Sequence, residues 1–371
     1  MPSFPVSAIG ACDAIRVEAT AIAKDNAAFN LGRATGALDF ITNPDNRQTV
    51  ETREIEDGET VRSMAIYYDQ RTKPCQVSTD PNTNICSDTG TTVTRKRAIV
   101  DIDKKISSPG RYFSVDDMAV LCGPKTGGNN ASRKSEFIRK RLENDLRATR
   151  ERFDEIILAE MNARVGRYYG WENNTGTGYR NIQLLDSNNT QQPDQDLPLG
   201  GNFVDIMMDY QNMQFSGVPN LIGQGILDKF IRLSDLACCN AAIPYEDAIQ
   251  RSGVAYYFDQ AANSVLGTNK FIVVPSGILH LLTYNINRSI NFSTDLEAHT
   301  VVPDPVNPQI RWNLDFKWDC DAMRWKYMYS LHWTLFNVYQ SDSFGTDTGT
   351  PDCGDELAGI TGVWGYTATQ G

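Results

Sequence analysis

"SRKSEFIRKRLENDLRATRERFDEIILAEMNARVG", residues 132–166, contains no proline and no internal glycine. The stretch predicts one long helix, with Ser132 as its N-cap and Gly166 as the C′ stop. At 1.5 Å per residue it spans about 50 Å, several times the mean helix length. Ile138, Leu142, Leu146, Phe153, Ile156 and Ile157 fall on one stripe about 100° wide, the pattern of a helix lying on a core. Glu136/Lys140, Glu143/Arg147 and Arg150/Asp154 add i,i+4 pairs on the wet face. The helix reads as a beam laid along a core rather than as the wall of an active site.

Its charges are distributed against expectation. Residues 133–141 carry Arg133, Lys134, Arg139, Lys140 and Arg141 against Glu136, while 151–160 carry Glu151, Asp154, Glu155 and Glu160 against Arg152. This order opposes the helix macrodipole, at ~0.3–1 kcal/mol per charge in the terminal turns. Two readings stay open: a solvated face that tolerates the mismatch, or a dipolar rod whose ends meet complementary charges on neighbouring chains.

The helix needs a surface to lie on, and the last third of the chain supplies one. In "IRWNLDFKWD" (310–319), Ile310, Trp312, Leu314, Phe316 and Trp318 alternate with polar residues. In "WKYMYSLHWTL" (325–335), Trp325, Tyr327, Tyr329, Leu331, Trp333 and Leu335 do the same, and "CDAMR" (320–324) between them supplies a turn. This is an amphipathic hairpin whose aromatic face must be covered. Trp312 and Trp333 are expected to be buried, partly by Leu142, Leu146 or Phe153.

Upstream, residues 1–58 are polar and weakly periodic and read as an extended arm, with one short helix near Ala11–Lys24 that lies on the rest of the chain or on a neighbour. "TVRSMAIYYD" (60–69) and "RKRAIVDIDKK" (95–105) are strand candidates around a long polar connection, residues 70–94, and form an extended β-hairpin. After the helix and the polar stretch 186–201, helix and strand alternate. Residues 202–213 read as helix, 219–225 as strand, 226–239 as helix and 269–275 as buried strand, and 276–286 read as a helix capped by Ser276. That makes a mixed α/β domain.

Composition excludes several classes. With 41% hydrophobic and 22% charged residues the chain is globular. A formal net charge of -11 argues against a nucleic-acid-binding surface. No apolar run approaches the roughly 20 residues of a membrane helix. The N-terminus lacks a basic n-region, so synthesis in the cytoplasm and mostly reduced cysteines are expected.

Motifs with chemistry fail one by one. "GPKTGGNNASRKS" (123–135) lacks phosphate-loop spacing and reads as a plain loop leading into the helix. His280, His299 and His332 lie in different segments without metal-ligand spacing, His332 in a strand and His280 in a helix. Eight cysteines are scattered: Cys238 and Cys239 read as core, while Cys75 and Cys86, on either arm of the long loop, read as free thiols, with a disulfide between them after release from a cell as the alternative. The carboxylates of "DSNNTQQPDQD" (186–196) do not fit an EF-hand. The sequence therefore carries no catalytic, cofactor-binding or metal residues, and no enzyme is expected.

The order of arm, long hairpin, very long helix, α/β domain and amphipathic hairpin ending in "RWKYMYSLHWTLFNVYQSDSF" (324–344) resembles the major capsid protein of tailed bacteriophages. Its fold is shared with herpesvirus capsid floors and encapsulins. The family's late signature, a turn, an alternating strand, a Leu/Val-rich strand and a polar exit, is matched by Asp321, Trp325 to Trp333, Leu335 to Tyr339 and Ser341–Phe344. The resemblance implies an α+β fold. Its parts are an N-terminal arm (1–58), an extended loop (59–110), a peripheral domain with a spine helix (111–185), an axial domain (186–300), peripheral β-strands (301–345) and a C-terminal extension (346–371). It implies a virion shell assembled in the host bacterial cytoplasm from hexamers and pentamers of this chain. Portal, scaffolding and cement or auxiliary capsid proteins would be partners, and DNA would be enclosed without sequence-specific binding. Two alternatives remain: an encapsulin-type compartment around a protein cargo, and a cytosolic α/β enzyme with an unread site.

Overall fold

The alternation of Trp312, Leu314 and Phe316 yields strand β14 (Arg311–Asp319), and that of Trp325, Tyr327, Tyr329, Leu331 and Trp333 yields β15 (Arg324–Asn337). They pair antiparallel, with Trp318 opposite Trp325, Phe316 opposite Tyr327 and Leu314 opposite Tyr329. The computed structural model describes residues 19–25, 36–43, 51–55, 63–68, 96–113, 130–169, 175–185, 201–213, 215, 218–224, 254–285, 297–319, 321–322, 324–338 and 362–370. These are mixed α and β, divided between two compact units.

The first unit comprises Met1–Ala34, Ile102–Asp154 and Leu282–Thr334. In its sheet β13 (Glu297–Pro303) pairs antiparallel with β14, placing Val302 opposite Trp312. On the far side of β15 lie β4 (Lys104–Ser107), with Ile106 opposite Leu331, and the two-residue β5 (Arg111–Tyr112). One face of this sheet is covered by the long helix. Ile138, Leu142, Leu146 and Phe153 are fully buried, and the Phe153 ring meets Trp312 and Trp333 edge-on at centroid distances of 5.7 and 5.3 Å. Asp145 on the same helix accepts a hydrogen bond from Tyr327. The expected burial of Trp312 and Trp333 under Phe153 is what the packing shows.

The helix itself spans Asn130–Ala163, 34 residues. It begins two residues before the expected cap: Ser132 lies within the first turn, because the asparagines just upstream are equally good helix starters. It also stops before Gly166. Arg164 and Val165 close the last turn by bonds from their N–H groups to the carbonyls three residues back, at 3.0 and 3.1 Å. Gly166 instead donates to the Val363 carbonyl at 3.0 Å. Ile156 is half-buried, and Leu158 and Met161 complete the apolar stripe. Arg150, expected to pair with Asp154, turns to Asp304 at 3.4 Å.

The second unit comprises Thr35–Asp101, Glu155–Leu281 and Leu335–Gly371. Its centre is a mixed five-stranded sheet in the order β10-β9-β11-β16-β8, with β8 at Tyr179–Leu185, β9 at Asn220–Gly223, β10 at Ala255–Phe258, β11 at Lys270–Val274 and β16 at Trp364–Gln370. β10 runs parallel to β9 and β16 parallel to β8, while β11 is antiparallel to both its neighbours. A helix at Gly201–Asn212 buries Ile206 and Tyr210 in the same cluster as Phe271, Val273, Trp364 and Tyr366. Residues 364–370 are thus an interior strand, where a C-terminal extension over 346–371 is expected from the sequence. Trp364, Tyr366 and Ala368 are its buried positions, and Gly365 is required because the Tyr179 ring lies 2.4 Å from where a Cβ would sit.

The hairpin expected from 60–69 and 95–105 is present as β2 (Ser63–Tyr68) antiparallel to β3 (Lys96–Asp101), and β1 (Glu51–Ile55), from the stretch assigned to the arm, adds a third strand beside β2. The helix expected at 276–286 is instead a strand, β12 (Leu279–Tyr284). Gly277, at φ 79°, makes the turn after β11, and the buried His280, Leu282 and Tyr284 then alternate with the half-buried Leu281 and Thr283 at the strand period. A short apolar run cannot decide between the two periods by itself. The predicted helix 226–239 and the hairpin connection 70–94 lie outside the described residues.

Candidate functional site

Among the described residues the chemistry-bearing side chains are not brought together. His280 is in strand β12, not in a helix, and its Nε2 donates to the Gly277 carbonyl at 3.1 Å. His299 on β13 lies cross-strand from Asp315, with Nδ1 at 2.5 Å from the carboxylate, and His332 sits in β15 opposite Lys105. Among the described residues no group of three or more His, Cys, Asp or Glu is placed to hold a metal ion, and no helix is long and apolar enough to cross a membrane. All eight cysteines, residues 123–129 of the glycine-rich loop and the carboxylates of 186–196 lie outside the described residues.

Buried charges in each unit are taken up by the fold. In the first, Asp304 accepts from the N–H groups of Val306 and Asn307, both at 2.9 Å, and from Trp312 Nε1 at 3.1 Å, and it faces the Arg150 guanidinium. In the second, Arg180 on β8 donates to Asp209 on the 201–212 helix. The Tyr366 hydroxyl donates to the same carboxylate at 2.7 Å and accepts from Trp364 Nε1 at 3.2 Å. Burial, with the Asp209 charge beside it, pushes the Tyr366 phenol well above its ordinary range. Such closed circuits fix which strand meets which helix.

The surfaces left to solvent are of a different kind. The outward face of the long helix exposes Lys140, Arg141, Asn144, Ala148, Glu151, Arg152 and Ala159, and Phe137 is 38% exposed among them. Lys140 pairs with Glu136 at 2.9 Å and Arg147 with Glu143 at 3.5 Å, as the i,i+4 spacing predicts. At the acidic end Arg164 donates both to the Glu160 carbonyl, at 2.7 Å, and to its carboxylate, at 2.8 Å. That cation just past the last turn offsets the unfavourable acid there. On the three-stranded sheet Ile99 is 60% exposed, beside Ala65 at 1%. Part of the arm has its own seat: Phe40 meets Tyr257 edge-on at 5.4 Å, the Ala37 N–H donates to Asp259 at 3.1 Å, and Asn43 donates to the Tyr257 hydroxyl at 3.2 Å. Sequence reasoning missed that seat, since Asp259 and Tyr257 carry no motif and are more than 200 residues away.

No protein-family model matches the chain, and no curated protein matches it. Among solved structures the chain is similar to one from Mycobacterium phage Che8, with a TM-score of 0.36 and 9% identity, over 85% of this chain and 86% of that one.

Proposed function

We propose that the chain is a major capsid protein that assembles copies of itself into an icosahedral shell around the double-stranded DNA of a tailed bacteriophage. The observation that carries the reading is the 34-residue helix seated through Phe153 on a largely aromatic sheet face, with charged residues on its exposed face. A beam of that form supports assembly better than it supports a reaction. The separate α/β unit and the three-stranded sheet carrying exposed Ile99 fit the same plan. On this reading there is no catalytic, cofactor or metal site. Hexamers and pentamers of the chain are the primary contacts, with portal, scaffolding and cement proteins as further partners, and the shell is the chain's place in the virion. Residues 36–43 pack within their own unit, so the arm's reach to neighbours would fall to the chain ahead of them.

Size-exclusion chromatography and negative-stain microscopy of the purified chain test this. Shells or capsomers are expected, and a small oligomer that never forms either would sink the proposal. Shells that carry a protein cargo in place of DNA would move the assignment to a protein compartment.

A further inference from the structure

Strand β3 complements its own reverse. It ends in Arg97, Ala98, Ile99, Val100 and Asp101, of which positions 97, 99 and 101 fall on one face. Ile99, the middle one of these, is 60% exposed, and Asp101 is exposed as well. Among the described residues β3 pairs with β2 alone, which makes it an edge of the three-stranded sheet. Such an edge presents a row of backbone N–H and C=O groups that can template another strand. We infer that β3 docks on β3 of a second copy of the chain, antiparallel, about a two-fold axis through Ile99. The two three-stranded sheets then join into one. The pairing deepens the shell proposal by naming one contact between copies, and rests on its premise of self-association.

In such a pair, residues equally distant from Ile99 meet. Ile99 meets Ile99, Ala98 stands opposite Val100, and Arg97 stands opposite Asp101. The last two contacts occur twice, as a two-fold interface requires. Within each sheet Ala65 is the cross-strand neighbour of Ile99, so an apolar row crosses the axis. Tyr67 neighbours Arg97 and Ser63 neighbours Asp101, so the rows on either side bring no like charges together. The Ser63 hydroxyl donates to Asp101 Oδ1 at 2.5 Å, a neutral donor that engages one oxygen and keeps the carboxylate's charge. A strand edge guarded against pairing carries charges of one sign, above all lysine. Here the sign changes across Ile99, and the reversed strand meets its opposite. Slipping the pair by one residue also brings a cation, Lys96, to Asp101. It leaves Arg97 against Val100, however, and sends the two Ile99 positions to opposite faces. A parallel pair in register would set Arg97 on Arg97 and Asp101 on Asp101.

Directly opposed residues of an antiparallel pair have Cα atoms about 4.5–5.5 Å apart, within disulfide reach. The full chain carrying Ile99→Cys is therefore oxidised with diamide over a range of concentrations, with the parent and its eight cysteines as the control for background links. Linked peptides are identified by mass spectrometry, and negative-stain images are taken in parallel. Position 99 is expected to link to itself. Ala98→Cys and Val100→Cys chains are each expected not to, but to link to one another when mixed. Adding Arg97→Asp or Asp101→Arg to Ile99→Cys is expected to raise the concentration at which half the chain is linked about tenfold. The two together should return it to within a fewfold. Thermal melts confirm that each variant is folded, and positions 97 and 101 of one chain lie about 14 Å apart, too far for restoration by direct contact within a chain. Absence of the link at position 99 overturns the pairing, as do positions 98 or 100 linking to themselves as readily. So do single charge variants that link like Ile99→Cys alone, or a double variant that fails to restore. Shells that form without the link overturn the pairing while leaving the capsid reading intact. The link without shells or capsomers does the reverse.

Discussion

Asp304 and Tyr329 show how differently two buried polar side chains serve the same unit. Asp304, 1% exposed, has both carboxylate oxygens engaged, by two backbone N–H groups, the Trp312 indole and Arg150. Asp304→Ala strands the Arg150 guanidinium, whose side chain is only 10% exposed, and is expected to cost about 3–5 kcal/mol in urea unfolding. Tyr329 is fully buried, yet its hydroxyl has no hydrogen-bond partner among the described residues. Tyr329→Phe removes that unmet group without opening space, so the same measurement should return a change within about 1 kcal/mol, of either sign. A large loss in Tyr329→Phe would mean that the hydroxyl has a partner such as a trapped water.

At the scale of elements, the long helix and the aromatic hairpin were legible because each repeats one period long enough to exclude the other. Phe153 joins them, with two edge-on tryptophan contacts and no exposure. Phe153→Ala should therefore cost about 3–5 kcal/mol by the same unfolding measurement, through lost contacts and the cavity left beneath the helix. A cost near that of a surface substitution would mean that the helix is held elsewhere along its length. Where runs are short the period is lost. "SGILHLLTYNI" offers too few turns to separate strand from helix, and Gly277, which makes the turn, reads equally well as a residue inside either. β16 was hidden for another reason: "WGYTATQ" follows a polar, glycine-rich tail, and pairing on both edges, parallel to β8 nearly two hundred residues earlier and antiparallel to β11, is what makes it interior. Long-range pairing leaves no local signature. The candidate surface stood halfway: the charges of the helix were plain in the sequence, but which of them face outward needed the burial pattern.

Across the whole molecule the hydroxyl-bearing aromatics set a limit that sequence composition only hints at. In the first unit, burial pushes the Tyr327 and Tyr329 phenols far up, aided by hydrogen bonding of Tyr327 to Asp145 and by that carboxylate's charge near Tyr329. In the second, burial and Asp209 do the same to Tyr366, while burial raises Tyr179 to about 12. A phenol whose folded value lies above its unfolded value of about 10 keeps its proton in the native state while the unfolded chain loses it. The stability such a group carries is complete below pH ~10 and declines as pH rises toward the folded value, by about 1.4 kcal/mol per pH unit for each fully shielded phenol. Tyr179, partly open to solvent, contributes less. Urea midpoints measured from pH ~8 upward should thus stay level to about pH 10 and then fall steeply, with tyrosinate absorbance from the buried residues appearing together with unfolding. Tyr329→Phe, nearly neutral at pH ~7, should fall less steeply than the parent on the alkaline side, because one of the two shielded phenols of its unit is gone. Midpoints that stay level to about pH 11.5, or a variant with the parent's slope, would show that these phenols ionise without unfolding, and that the sheet beneath the helix is wetter than its packing implies.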